Sequence, residues 1–216
     1  MADRTRRRLT AAERREKLLD AAGDVFAARG YHGASLEEIA QVAGVSKALI
    51  YEHFASKREL HGELIEHQAG EIFRRLQANA ERDAPAEERL RGGLDGFFSF
   101  VEEHRGAWRA VFRDAADPEV AEHIAGVQAQ AVGVIAALLA ADPGLREEPD
   151  VDPAQRALYL EAYAQLLSGA MQALATWWHE HQDVPREEMV DRALEFCWLG
   201  LQRLSKGELL APRGRR

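Results

Sequence analysis

The sequence predicts an all-α chain, and three observations predict it. No stretch alternates apolar and polar residues with the period of two that a half-buried strand requires. Helix-start signatures of the form Ser/Thr-x-x-Glu stand at Thr10–Glu13, Ser35–Glu38 and Ser56–Glu59; in each, cap and glutamate can satisfy one another's free backbone amides. Elsewhere apolar residues recur at three- and four-residue spacing between glycine and proline breaks.

Taken in order, the first helix is predicted over about Ala11 to Arg29, with Leu18, Ala22, Val25 and Phe26 on one face and Gly30 as its stop. A short helix follows from Leu36 to Ala43, burying Leu36, Ile39, Ala40 and Ala43. Gly44 can take the left-handed conformation of a tight turn, Val45 plugs the corner, and Ser46 caps a third helix ending near Phe54. Beyond Ser56 a long helix extends towards Arg82, and Asp83-Ala84-Pro85 separates it from one reaching about Arg105. A short segment carries Trp108 and Phe112, and Pro118 to Ala141 forms a helix with Val120, Ile124, Val127, Ala131, Val134 and Leu138 on one stripe. Asp142 to Asp152 reads as a loop. The last two helices, Pro153 to Glu180 and Pro185 to Leu204, are expected to pair antiparallel.

Composition excludes several classes. Of the 216 residues, 46 % are apolar and 30 % charged, a balance that supports a packed core and excludes a disordered chain. Apolar runs such as Val134 to Ala141 fall short of the roughly 20 residues of a membrane span, and the amino terminus carries arginines where a secretory segment would be greasy. A cytoplasmic protein without a membrane partner is expected. The single cysteine, Cys197, excludes an internal disulfide and reads as a core residue beside Phe196, Trp198 and Leu199. The net charge of −8 is uneven: residues 1–62 carry +2 and the remainder −10. The basic end is therefore the candidate for nucleic acid. Arg4, Arg6, Arg7 and Arg8 could extend it as an arm into a neighbouring groove, or form a solvated tail.

Within residues 30–57, three short helices burying Ile39, Ala43, Val45, Ile50 and Phe54 leave Lys47, Ala48, Leu49, Tyr51 and His53 on other faces of the third. Such a helix can enter a major groove when its front residues are small or can reach base edges and phosphates. The motifs are Ile39-Ala40, Ala43-Gly44-Val45-Ser46, Tyr51-Glu52-His53-Phe54 and Ser56-Lys57, and a segment carrying them at this spacing resembles the DNA-binding domain of TetR-family regulators. The resemblance implies that Ser35, Tyr51, His53 and Lys57 hold phosphates and that Lys47, Ala48 and Leu49 face base edges; Ser46 is a further DNA-binding candidate. Phosphate contacts set position and base contacts set sequence preference. Ala48-Leu49 replaces the Gly-Thr of many members, which removes a hydroxyl; contact with a thymine methyl is the natural substitute. Lys57 stands in a first helical turn, where the dipole disfavours a cation and an external anion would explain it. Tyr51 packing under the turn, and His53 capping the next helix, are the structural alternatives.

The domains expected are 1–56, a helix-turn-helix with a basic arm; 57–206, a helical sensing and dimerisation domain; and 207–216, a basic tail. The helix from Pro153 places Glu161, Gln165, Ser168, Gln172 and Thr176 on one stripe and is apolar almost all round otherwise, so it should pack on its own core and on a partner subunit. Trp198 on the polar line Asp191, Glu195, Gln202 suggests a second covered face. Gln172, Thr176, Trp198 and Gln202 are the dimer candidates, in a four-helix bundle that the resemblance also implies. A homodimer meets successive major grooves about 34–36 Å apart on a palindromic DNA operator. Phe97, Phe100, Trp108, Phe112, Tyr159, Tyr163 and Met171 are the large side chains that could line a ligand cavity, with Gln165 and Ser168 to orient a small, largely apolar effector. No cofactor is expected.

An enzyme would show a catalytic constellation; the sequence has no nucleophile elbow, no phosphate-cradling glycine loop and no His-Glu-x-x-His. His179-Glu180-His181 places its histidines two apart, off a common helix face, and reads as a solvated helix end, as does the set His61, Glu63 and His67. The rival to a ligand-responsive repressor is a helical adaptor that binds protein, in which Lys47, Tyr51 and Lys57 would be dispensable; an activator of the same fold is a further alternative.

Overall fold

The computed structural model of the chain describes residues 10–106, 108, 118–142 and 152–205, with side chains as far as Leu199. The arginine arm, Phe112, most of the 142–152 loop, the side chain of Gln202 and the basic tail lie outside the described residues. Every element among the described residues is a helix: α1 Ala11–Gly33, α2 Leu36–Ala43, α3 Lys47–His53, α4 Lys57–Ala80, α5 Ala86–Glu103, α6 Pro118–Ala141, α7 Pro153–Glu180 and α8 Arg186–Ser205.

The helix starts follow the cap chemistry, with two variations. At Thr10 both arms of the box form. At Ser35 the hydroxyl accepts the Glu38 amide (3.1 Å), but the Glu38 carboxylate turns to Arg29 instead (3.2 Å). At Ser56 the hydroxyl accepts the Glu59 amide, and the Glu59 carboxylate reaches one residue further back, to the amide of Ala55. Asp152 caps α7 and Pro153 opens it. Gly30 breaks α1 with a φ of 73°, and one more turn follows before Ala34.

Contacts divide the chain into two units, residues 1–68 with 106–124, and residues 69–105 with 125–216. In the first, α1 and α2 pack tightly, and Leu18, Ala22, Phe26, Ile39, Ile50, Phe54 and Leu60 are buried. Val45, expected in this core, is half-buried at its edge. Arg15 fastens the group: it lies over the Phe54 ring (4.8 Å), donates to the His53 carbonyl and pairs with Glu63. The start of α6 belongs here as well. Tyr31 donates to Glu119 (2.9 Å), Arg58 to Glu122 (2.9 Å), and the His123 ring lies against Gly62, where a Cβ would meet it. Residues 106–124 therefore join the helix-turn-helix unit, which differs from an expected boundary at Ser56.

In the second unit α8 packs chiefly along α5 and only slightly on α7, which corrects the antiparallel pair expected of the last two helices. The reason is the match of apolar stripe and flanking charge. Met189, Val190, Ala193, Leu194 and Cys197 are buried, and Arg91–Asp191, Arg186–Asp95 and Arg186–Glu102 bridge α5 and α8. Trp178 of α7 is buried edge-on to Phe98 (5.7 Å), and its indole N–H donates to the Val184 carbonyl. Burial pushes the Cys197 thiol up to about 11, as suits an inert core residue. By length and composition alone α6 is apolar enough to cross a membrane, and most of that stretch is not buried within this chain. Its glycines and glutamines, Gly126, Gln128, Gln130 and Gly133, interrupt the apolar runs without adding charge.

Candidate nucleic-acid interface

The turn between α2 and α3 is built by Gly44. Its φ of 65° lets its own amide reach the Gln41 carbonyl and that of Val45 reach Ala40 (3.0 Å each), a closure that satisfies two carbonyls in the last turn of α2. Ser46 then caps α3 by accepting the Leu49 amide (3.2 Å). Because α3 buries Ile50 and is followed by buried Phe54, its opposite side faces outward.

On that side Lys47, Ala48 and Tyr51 are exposed, Ser46 is exposed beside them, and Leu49 and His53 are half-buried. The Lys47 ammonium lies 5.8 Å above the Tyr51 ring and pairs with the Glu37 carboxylate of α2. The hydrogen bond from Lys47 holds the Glu37 carboxyl below its ordinary value and raises the lysine's. Sequence reasoning passed over Glu37, because residues ten apart on separate helices share no periodicity. Tyr51 does not pack under the turn: half of its surface is open.

Ser35 and Ser46 use their oxygens as cap acceptors, which leaves each O–H to donate outward. Lys57 is held differently from expectation. Its ammonium donates to the carbonyls of Ala34 (3.1 Å) and His32 (3.5 Å) and lies over the Tyr31 ring (4.6 Å). The end of α1, with the negative pole of its dipole, answers the charge that an external anion was expected to answer. Three donors on the ammonium leave one for a phosphate.

The sensor candidates are spread more widely. Phe97 is half-buried against Phe98 (5.2 Å), while Phe100 is a core residue, 1 % exposed, stacked on His104 and beneath Arg75. Tyr159, Tyr163, Ser168 and Met171 are half-buried along α7, and Tyr159 accepts a hydrogen bond from Gln155 (2.6 Å). Gln165 is exposed, not buried as expected, because it shares the outward side of α7 with Leu158, Ala162 and Leu166. Trp108 is half-buried and belongs to the other unit. Of the dimer candidates, Gln172 accepts from Gln128 of α6 (3.1 Å), Thr176 turns its exposed hydroxyl to the Gln172 carbonyl, and Trp198 is half-buried. The open apolar side chains are others: Leu158, Leu166 and Trp177 of α7, with Phe196 and Leu199 of α8.

Comparison with known proteins places these features. Residues 18–64 match the family described as bacterial regulatory proteins, tetR family, and residues 86–200 match the tetracyclin repressor-like C-terminal domain. The HTH-type transcriptional activator FasR of Mycolicibacterium smegmatis is 29 % identical over 90 % of this chain and 85 % of its own length. The crystal structure of a TetR-like transcriptional regulator from Rhodococcus sp. RHA1 is 28 % identical, covers 90 % of this chain and 99 % of its own, and superposes with a TM-score of 0.68. FadR of Bacillus subtilis, solved in complex with stearoyl-CoA, shares the fold at 20 % identity over 84 % of this chain and 96 % of its own, with a TM-score of 0.69. An all-helical chain, a glycine-turned pair of short helices with Lys47, Ala48 and Tyr51 outward, and family matches over both parts of the sequence lead to one conclusion: this chain belongs to the TetR family of helix-turn-helix, DNA-binding transcription regulators.

Proposed function

We propose that the chain is an effector-responsive repressor, with no enzymatic role, which binds a near-palindromic operator as a cytoplasmic homodimer. The observation that carries this reading is the outward row Lys47, Ala48 and Tyr51 on a helix whose other side is locked into the core by Ile50 and Phe54. A rigidly held helix with a small residue at its front suits a major groove, and two are needed for two half-sites one turn apart. The open apolar residues Leu158, Leu166 and Trp177 of α7 and Phe196 and Leu199 of α8 support a homodimer through these helices, since large apolar side chains left open favour an interaction surface.

The effector is a small, largely apolar molecule, and a long acyl chain carried as a thioester is the class favoured. Half-buried Phe97, Tyr163 and Met171 offer an apolar lining, and the stearoyl-CoA of the related FadR is a ligand of that kind. The route of response is the helix after Ser56, α4, whose shift would change the spacing of the two DNA-reading helices and which runs from the helix-turn-helix unit into the second unit; a second route is α6. Glu119, Glu122 and His123 fasten its first turns to the helix-turn-helix unit, and the same helix continues into the second unit. An effector with different affinity for two positions of α6 shifts the population that can hold DNA.

The test is fluorescence anisotropy with the promoter DNA flanking the chain's own gene, across a salt series, beside a Lys47→Ala/Tyr51→Ala variant. Saturable binding that the variant loses supports the reading, and the salt slope counts phosphates. No preference for that DNA or for any member of a random pool would sink it. Added stearoyl-CoA is expected to release the repressor. Activation is the second reading, favoured by FasR, an activator similar along nearly the whole chain; in vitro transcription that rises on addition of the protein would establish it.

A further inference from the structure

Lys47 heads the recognition helix, yet its charge is not offered outward alone. Its ammonium is paired with the exposed carboxylate of Glu37, from the first turn of α2, and leans over the Tyr51 ring. All three groups lie on the outward side of the helix-turn-helix, and both members of the pair are more than half exposed. A DNA phosphate or a guanine edge reaching Lys47 must therefore compete with an acid already there, and must tolerate that acid's negative charge nearby. Two effects act in the same direction: the pair has to be broken or shared, and the remaining carboxylate repels the phosphodiester backbone. Lys57, by contrast, donates to neutral carbonyls, those of His32 and Ala34.

We infer that Glu37 is an affinity-limiting residue of the reading head, an intramolecular rival to DNA for Lys47. This rests on the DNA-binding reading above and adds to it a role for a residue outside the recognition helix. Its consequence is that the chain binds DNA less tightly than its cations alone would allow.

The test is a double-mutant cycle on the full-length chain, with a duplex that the wild type itself selects from a random pool. In low-salt buffer Glu37→Gln is expected to tighten binding by roughly threefold, an exposed pair being a modest one. The gain should vanish in the Lys47→Ala background and shrink as salt is raised. Equal binding by wild type and Glu37→Gln overturns the inference. So does a gain of the same size without Lys47, or weaker binding, the result expected if the carboxylate itself accepted a cytosine amino group. If the wild type selects no duplex at all, the DNA-binding reading fails first, a result distinct from wild type and variant binding alike.

Discussion

Gly44 closes the turn before the recognition helix with a φ of 65°, a conformation that a Cβ makes costly. Gly44→Ala is expected to destabilise the chain by about 1–2 kcal/mol, read as a lowered midpoint in denaturant, with DNA affinity falling alongside. This position was legible because glycine between two short amphipathic helices has few other uses. The partners of charged residues were not legible. Lys57 finds the carbonyls that end α1 and Arg15 finds His53, Phe54 and Glu63. Each depends on how helices far apart in sequence cross, which spacing along one helix does not encode. Gln165 illustrates the converse: its polar character is plain in the sequence, but the direction in which α7 turns it is decided by what covers the helix.

Helix limits are legible in the sequence, because caps and breakers are local. Ser35, Gly44, Ser46 and Pro153 each sit where an amide or carbonyl would otherwise lack a partner. Which helices touch is a different matter, and the partnership of α8 with α5 depended on a long-range match of stripe and charge. Between α4 and α5 a similar match has a measurable signature. Arg75 donates to Glu103 (2.6 Å), Ser99 donates to it as well (2.7 Å), and together they hold its carboxyl at about 2, against 4.5. A carboxylate depressed on folding contributes stability above its unfolded value, and that contribution fades as pH falls towards the folded one. Glu103→Gln should therefore melt below the wild type at neutral pH, with the gap closing as pH is lowered from about 4.5 to about 2. Glu103 is nearly half exposed, so the effect is small and salt-sensitive. A gap that widens in acid would contradict the assignment.

At the scale of the whole molecule the proposed homodimer rests on the open apolar side chains. Leu166 is 69 % and Phe196 73 % exposed, exposures that an isolated chain would carry as a liability. Leu166→Glu combined with Phe196→Glu is expected to convert a dimer into monomers in light scattering while leaving the helical signal of circular dichroism in place, with operator binding lost. A dimer unchanged by both substitutions would move the interface elsewhere. From sequence, the presence of an outer apolar face on α7 was legible, whereas its members were not, because every side of that helix carries apolar residues.

The tether of Tyr31 to Glu119 and of Arg58 to Glu122, with Val120 and Ile124 buried beside them, bears on how such regulators can be recombined. The helix-turn-helix unit is assembled from two stretches separated by nearly forty residues of the other unit. A cut at Ser56 would therefore strip its core of a wall, and a chimera grafted there would inherit another regulator's answer to Tyr31 and Arg58. Swapping promoter specificity between relatives means carrying residues 106–124 across with the amino-terminal part. What must be exchanged is therefore a pair of segments distant in sequence and not one continuous stretch.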